Sequence, residues 1–238
     1  MKNSELFRTS LPIIILLVIT GVLVSGIAIW LGGGLASNEI ELTTTSESDL
    51  VEPLVPEQLE DYEADITNNM NPVAVLETNK GTVEIELFQN TMPITAGNFA
   101  KLVDEGFYDG IKFHRVIDGF MVQGGDPLTK TEDTMRYGTG GPGYSIPDEH
   151  VSGKLLTNTR GTISMANSGP NSGGSQFFIN LVDNSNLDFD KAPLSSKHPV
   201  FGQVIEGMDV VDAIAEVETG PSDLPLEPVV IEKATIRR

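Results

Sequence analysis

The chain is 238 residues long and sets 15 Lys and Arg against 34 Asp and Glu, a formal charge of −19 at pH 7. An apolar fraction of 39% with 10 Phe excludes a wholly disordered chain, and charge of this sign argues against nucleic acid as a partner, because phosphate binding needs clustered Lys and Arg. The absence of Cys excludes disulfides, thiolate zinc sites and cysteine nucleophiles.

Leu11 to Leu31 reads LPIIILLVITGVLVSGIAIWL without one charge. At about 1.5 Å per residue such a helix crosses a hydrocarbon core of about 30 Å, so 11–31 is predicted to be a transmembrane signal anchor. Lys2 and Arg8 precede it, whereas the next basic residue is Lys80. Positive-inside asymmetry then places residues 1–10 in the cytoplasm and the rest outside, as a single-pass protein of the cell membrane. In Gly34-Leu35-Ala36, the small residues Gly34 and Ala36 stand where a signal peptidase needs them and leave open cleavage after Ala36, which would release a secreted protein. The apolar run exceeds the roughly 7 to 15 residues of a signal-peptide core, which favours the anchor. Residues 32–72 are predicted to be a disordered stalk: from Ser37 to Pro72 there are ten acidic and no basic residues, a composition that self-repels and cannot offset its chain entropy by burial.

The folded domain is assigned to 73–238. Val73 to Leu76 and Thr82 to Leu87 flank Asn79-Lys80-Gly81, a hairpin signature. Pro93 to Val103 has helical spacing, with Ile94, Phe99, Leu102 and Val103 on one side. Gly161 to Met165, Gln176 to Leu181, Val200 to Val204 and Val229 to Ile236 read as short strands, and Met208 to Ala215 as a second helix. Short strands, glycine-rich turns and two helices predict a mainly β fold, an antiparallel barrel or sandwich.

Three motifs go further: FHRVIDGFMVQGGDP from Phe113, GTISMANSGPNSGGSQFFI from Gly161 and HPVFGQVIEGMDVV from His198. With Asn98-Phe99, Gly106-Phe107-Tyr108 and GTGGPGYSIPDE from Gly138, they resemble the cyclophilin family of peptidyl-prolyl cis-trans isomerases across 73–238. The resemblance implies a cyclophilin-like closed eight-stranded antiparallel β-barrel capped by two α-helices, here preceded by the transmembrane helix, with a groove for proline-containing polypeptides on its outer face. It carries the catalytic arginine onto Arg115, with Gln123, Phe120 and His198 beside it. Met121, Phe178 and Leu187 match the proline pocket, Ala166, Asn167 and Gln176 the edge that grips substrate backbone, and Gly138 a neighbouring side pocket. Taken singly, Arg115 reads as a snorkelling surface side chain, Phe120, Met121 and Phe178 as core, and His198 as a surface or satisfied core histidine. The motif context reverses those readings.

The reaction needs no cofactor and no metal. Rotation about a prolyl amide faces a barrier of about 18–20 kcal/mol from amide resonance, and an apolar pocket with one positioned donor suffices to favour the twisted bond. A monomeric isomerase assisting the folding of exported or surface proteins is therefore expected, the alternative being a non-catalytic module that holds proline segments as a chaperone or scaffold. Two departures stand out. Asn186 occupies the position where cyclosporin-sensitive members carry a tryptophan, and DFDKAPLSSK between Leu187 and His198 is longer than usual, which puts the place of His198 in question. GTGGPG lacks the Lys of a phosphate loop, and Gly-Gly-Ser175-Gln-Phe is not a serine-hydrolase elbow.

Overall fold

The computed structural model describes residues 71–192 and 197–238. The expected cytoplasmic segment, membrane anchor and all but the end of the stalk lie outside the described residues. Among the described residues no helix is long and apolar enough to cross a membrane.

The elements run β1 (Val73–Thr78), β2 (Gly81–Leu87), α1 (Thr95–Asp104), β3 (Lys112–Phe113), β4 (Arg115–Ile117), β5 (Met121–Gly124), β6 (Thr162–Met165), β7 (Phe177–Asn180), β8 (Val200–Glu206), α2 (Met208–Ala215) and β9 (Val229–Arg237). They form one antiparallel sheet in the order β3-β9-β1-β2-β8-β6-β7-β5-β4. The two end strands are halves of one stretch interrupted only at His114, whose N–H donates to the Gln123 carbonyl over 3.0 Å. Counted together they give eight strands, and because the stretch pairs with β9 through β3 and with β5 through β4, the sheet curls into a nearly closed barrel. Of barrel and sandwich, the fold is thus the barrel. Register shifts in the β1–β9, β2–β8 and β6–β8 pairings supply the local bends that closure requires.

Period-two alternation sends Ala74, Leu76, Val83, Ile85, Leu87, Val116, Val122, Ile163, Phe177 and Ile179 into the core. Phe99 on α1 is its aromatic hub. Its ring lies 4.8 Å from Tyr108, 5.3 Å from Phe201 and 5.4 Å, edge-on, from Phe177. The helix starts at Thr95, later than the Pro93 of the sequence pattern, and Ile94 offers no capping side chain. Its end is capped from a distance instead: the Glu149 carboxylate accepts from the N–H of Ile94 (3.1 Å) and of Thr95 (2.8 Å). That satisfies two orphan donors and sets a negative charge on the positive end of the helix dipole. The second helix spans the predicted residues, burying Val211, Ile214 and Ala215.

The β4–β5 hairpin is the main addition to the sequence pattern. Its alternation is short and broken by Asp118-Gly119, so periodicity alone does not reveal it.

Candidate active site

The antiparallel register lines up Arg115 opposite Gln123, and Gln123 opposite Phe178. Cross-strand partners share a face, so these three side chains form a row over β4, β5 and β7, with Met121 two residues along on the same side. Their sequence neighbours Val116, Val122, Phe177 and Ile179 point the other way, into the core. The outer row is itself apolar underneath: Met121, Phe178 and Leu187 are buried in a second cluster on which Ile117, Phe120 and Ala166 pack.

That cluster floors a pocket of about 310 Å³ lined by Arg115, Phe120, Met121, Gln123, Ala166, Asn167, Phe178, Leu187 and His198. Nine of the eleven residues singled out in the sequence therefore meet in one cavity. The other two, Gly138 and Gln176, line an adjoining recess of about 510 Å³ that shares Gln123, Ala166 and Asn167 with the first. The Ala166 N–H pairs with the Gln176 carbonyl over 3.0 Å, fixing the edge between the two recesses.

His198 keeps its place despite the long preceding loop. Its N–H donates to the Leu187 carbonyl (3.1 Å), and its ring stands edge-on to Phe178 with centroids 5.4 Å apart. Nδ1 lies 3.1 Å from the Met165 carbonyl, so the neutral ring carries its proton there and turns Nε2 away as an acceptor. Burial pushes the imidazole below its ordinary range, partly opposed by the Met165 contact.

Arg115 is half-exposed, its guanidinium Nε 3.5 Å from Asp223 Oδ2. Gln123, opposite Arg115 in the register, bonds away from the guanidinium. Its Nε2 donates to Gln176 Oε1 (3.1 Å), and Gln176 Nε2 in turn donates to the carbonyls of Gly138 (3.0 Å) and Gly140 (2.8 Å). Asp126, fully buried, closes the chain by accepting from Gly138 N (2.6 Å), Gly140 N (3.1 Å) and Leu128 N (2.7 Å). Position 140 must be glycine, since a Cβ there would sit 2.1 Å from Asp126 Oδ1.

A guanidinium engaged through Nε beside a pocket with an apolar floor can hydrogen-bond an amide carbonyl or its nitrogen through its Nη groups without transferring a proton. The cyclophilin-type peptidyl-prolyl cis-trans isomerase family model matches residues 73–236. The chain belongs to this family. Its isomerase domain is 43% identical over 161 residues to the Arabidopsis thaliana peptidyl-prolyl cis-trans isomerase CYP18-1, spanning 68% of this chain and 93% of that protein. A longer Streptococcus pyogenes protein, named for both phosphatase and peptidyl-prolyl isomerase activities, is 39% identical over 206 residues, 75% of this chain but 42% of its own length. Among solved structures, a Cryptosporidium parvum cyclophilin determined in the presence of the dipeptide Ala-Pro matches at a TM-score of 0.60 and 30% identity, covering 70% of this chain and 99% of that one.

This cyclophilin also carries support that the motifs did not reveal. Asp188 accepts from Asn158 N and Nδ2, each at 2.8 Å, and from the Thr157 hydroxyl. Asn158 Nδ2 reaches the His198 carbonyl (3.0 Å) and its Oδ1 accepts from Ser164 (2.7 Å) and Asn180 (3.2 Å). Asn184 donates to Asn180 Oδ1 (2.8 Å) and to the Phe120 carbonyl (2.9 Å). These buried amides tie the Leu187, His198 and Phe120 walls to the sheet. Composition marks Asn and Asp only as turn formers, and partners this distant in sequence give no local signal.

Proposed function

We propose that Arg115 is the electrostatic catalyst of this isomerase, stabilising the twisted prolyl amide while Phe120, Met121, Phe178, Leu187 and His198 hold the proline ring. The observation that carries the reading is the row Arg115–Gln123–Phe178 set over a pocket with an apolar floor, which puts a cation at the edge of a 310 Å³ hollow. Ala166, Asn167 and Gln176 would grip the substrate backbone, and Gly138 would line the side pocket for a residue near the proline. A guanidinium hydrogen bond made only as the amide twists lowers the barrier without tightening ground-state binding. The presence of Ala-Pro with the Cryptosporidium parvum cyclophilin supports a short prolyl peptide as ligand.

The uncharged run Leu11–Leu31, preceded by Lys2 and Arg8, supports a membrane anchor with the isomerase domain outside the cytoplasm, where its substrates would be exported or surface polypeptides. The domain would act as a monomer held off the membrane by the acidic stalk.

Titration of the full chain with an Ala-Pro peptide, followed by methyl and aromatic NMR, tests the pocket: shifts centred on Met121, Phe178 and Ala166 are expected, and shifts confined to other faces contradict it. Protease treatment of intact cells tests the topology. Loss of the domain from outside is expected, and full protection contradicts it.

A further inference from the structure

The turn that brings Asp223 to Arg115 is unusual in its backbone. Ser222 and Asp223 are consecutive non-glycine residues in the left-handed region, at φ +63° and +60°. Such conformations are disfavoured for residues with a Cβ and persist only where surrounding structure enforces them. Here the enforcement is visible: Thr219 and Pro225 form an isolated antiparallel bridge, Gly220 N donates to Leu224 O (2.8 Å) and Leu226 N to Glu218 O (2.9 Å). Pro221 and Pro225 fix two further φ angles across the same turn.

What this strained turn gains is not stability. The ion pair it makes joins side chains that are 43% and 48% exposed, and pairs of that exposure contribute little to folding. A strained turn delivering a carboxylate to a weak surface pair makes sense if the orientation of the guanidinium matters. The contact is to Nε, on one edge of the guanidinium plane. Holding that edge limits rotation of a long flexible side chain and leaves the Nη donors for the 310 Å³ pocket, whose wall Arg115 also forms. Pro221, Ser222, Asp223 and Leu224 line a recess of about 680 Å³ that shares Arg115 and Gln123 with the proline pocket, but none of the four lines that pocket, so the carboxylate would not compete with substrate for it.

We infer that Asp223 is a positioning residue for this isomerase, presented by the strained 220–224 turn to fix the guanidinium of Arg115. The inference rests on the catalytic reading of Arg115 given above. Two effects oppose each other here. The carboxylate orders the guanidinium, but it also offsets part of the positive charge that the transition state would feel. Positioning predicts that removing the carboxylate slows catalysis, whereas a dominant field effect predicts acceleration.

Asp223→Asn is the informative variant, since Asn adopts left-handed φ about as readily and the turn should be kept. In the full chain it is expected to lower kcat five- to thirtyfold on an Ala-Pro peptide while KM stays within twofold. Asp223→Gly, which relieves the strain and removes the carboxylate together, should lower kcat similarly without lowering the thermal midpoint. Asp223→Glu should recover part of the loss. In an Arg115→Ala background, Asp223→Asn should change the residual rate by less than twofold. A kcat within twofold of wild type or above it in Asp223→Asn overturns the proposal, as does an equal loss in both backgrounds. If Arg115→Ala alone retains wild-type activity, the catalytic reading of Arg115 fails first, and the pairing with it.

Discussion

Gln123 and Gln176 are joined side chain to side chain, Nε2 to Oε1, at 3.1 Å across the rim between the pocket beside Arg115 and the adjoining recess. The bond is the last link of a relay that begins at the buried Asp126 carboxylate and passes through the Gly138–Gly140 turn. Gln123 therefore stands at the pocket wall with its amide already oriented. The glycine turn is held from both sides, by its N–H groups and by its carbonyls.

Gln176→Leu should release both ends of that relay. The turn carbonyls lose their donor and Gln123 loses its acceptor, so kcat/KM is expected to fall about tenfold, equivalent to about 1.4 kcal/mol, with KM carrying much of the change. Steady-state kinetics on an Ala-Pro peptide measure the split.

Truncating the aromatic hub should destabilise without touching the site. Phe99 is fully buried among Tyr108, Phe177 and Phe201, and Phe99→Ala is expected to cost about 3–5 kcal/mol. Urea unfolding followed by fluorescence or circular dichroism reads this directly, and the surviving folded fraction should keep its kcat.

Asp188→Ala tests the amide network. It leaves the Asn158 N–H, one of the two Asn158 amide protons and the Thr157 hydroxyl without their acceptor in a nearly water-free place, at a cost of about 3 kcal/mol. Because Asn158 also holds the His198 carbonyl, KM should rise as well. Denaturant melts and peptide titrations check the two effects separately.

Stability should fall on mild acidification. Burial holds His114 below its ordinary value of about 6.5, opposed by Asp126 and reinforced by Arg115, and burial likewise lowers His198. Between the folded and unfolded values the unfolded chain binds more protons, so stability is full above about pH 6.5 and declines as pH falls through that window. The carboxylate of Glu84, lowered by its hydrogen bond from Arg237, is lost only at lower pH. His198→Gln should flatten the decline below about pH 6.5, as measured by urea midpoints across pH.

The fold was legible where burial repeats within a few residues: the β1–β2 hairpin, α2 and the closing strand all lie where alternation or helical spacing puts them. The pocket was legible through the motif blocks, which carried Arg115, Phe120, Met121, Phe178 and His198 to one cavity. What escaped depends on pairs far apart in sequence. Glu149 capping Thr95, Asp188 holding Asn158 and Asp223 meeting Arg115 join residues whose types say only that they are polar. The His114 break, which lets one stretch pair with both β9 and β5, is likewise invisible until the barrel curls.

The most direct measurement is the exchange rate of an Ala-Pro peptide between cis and trans, followed by NMR with the full chain and with Arg115→Ala at equal occupancy. Loss of one electrostatic transition-state donor should slow bound-state exchange by about 10²- to 10³-fold while peptide affinity changes little. An Arg115→Ala protein that exchanges the bound peptide at the wild-type rate would contradict the role assigned to Arg115.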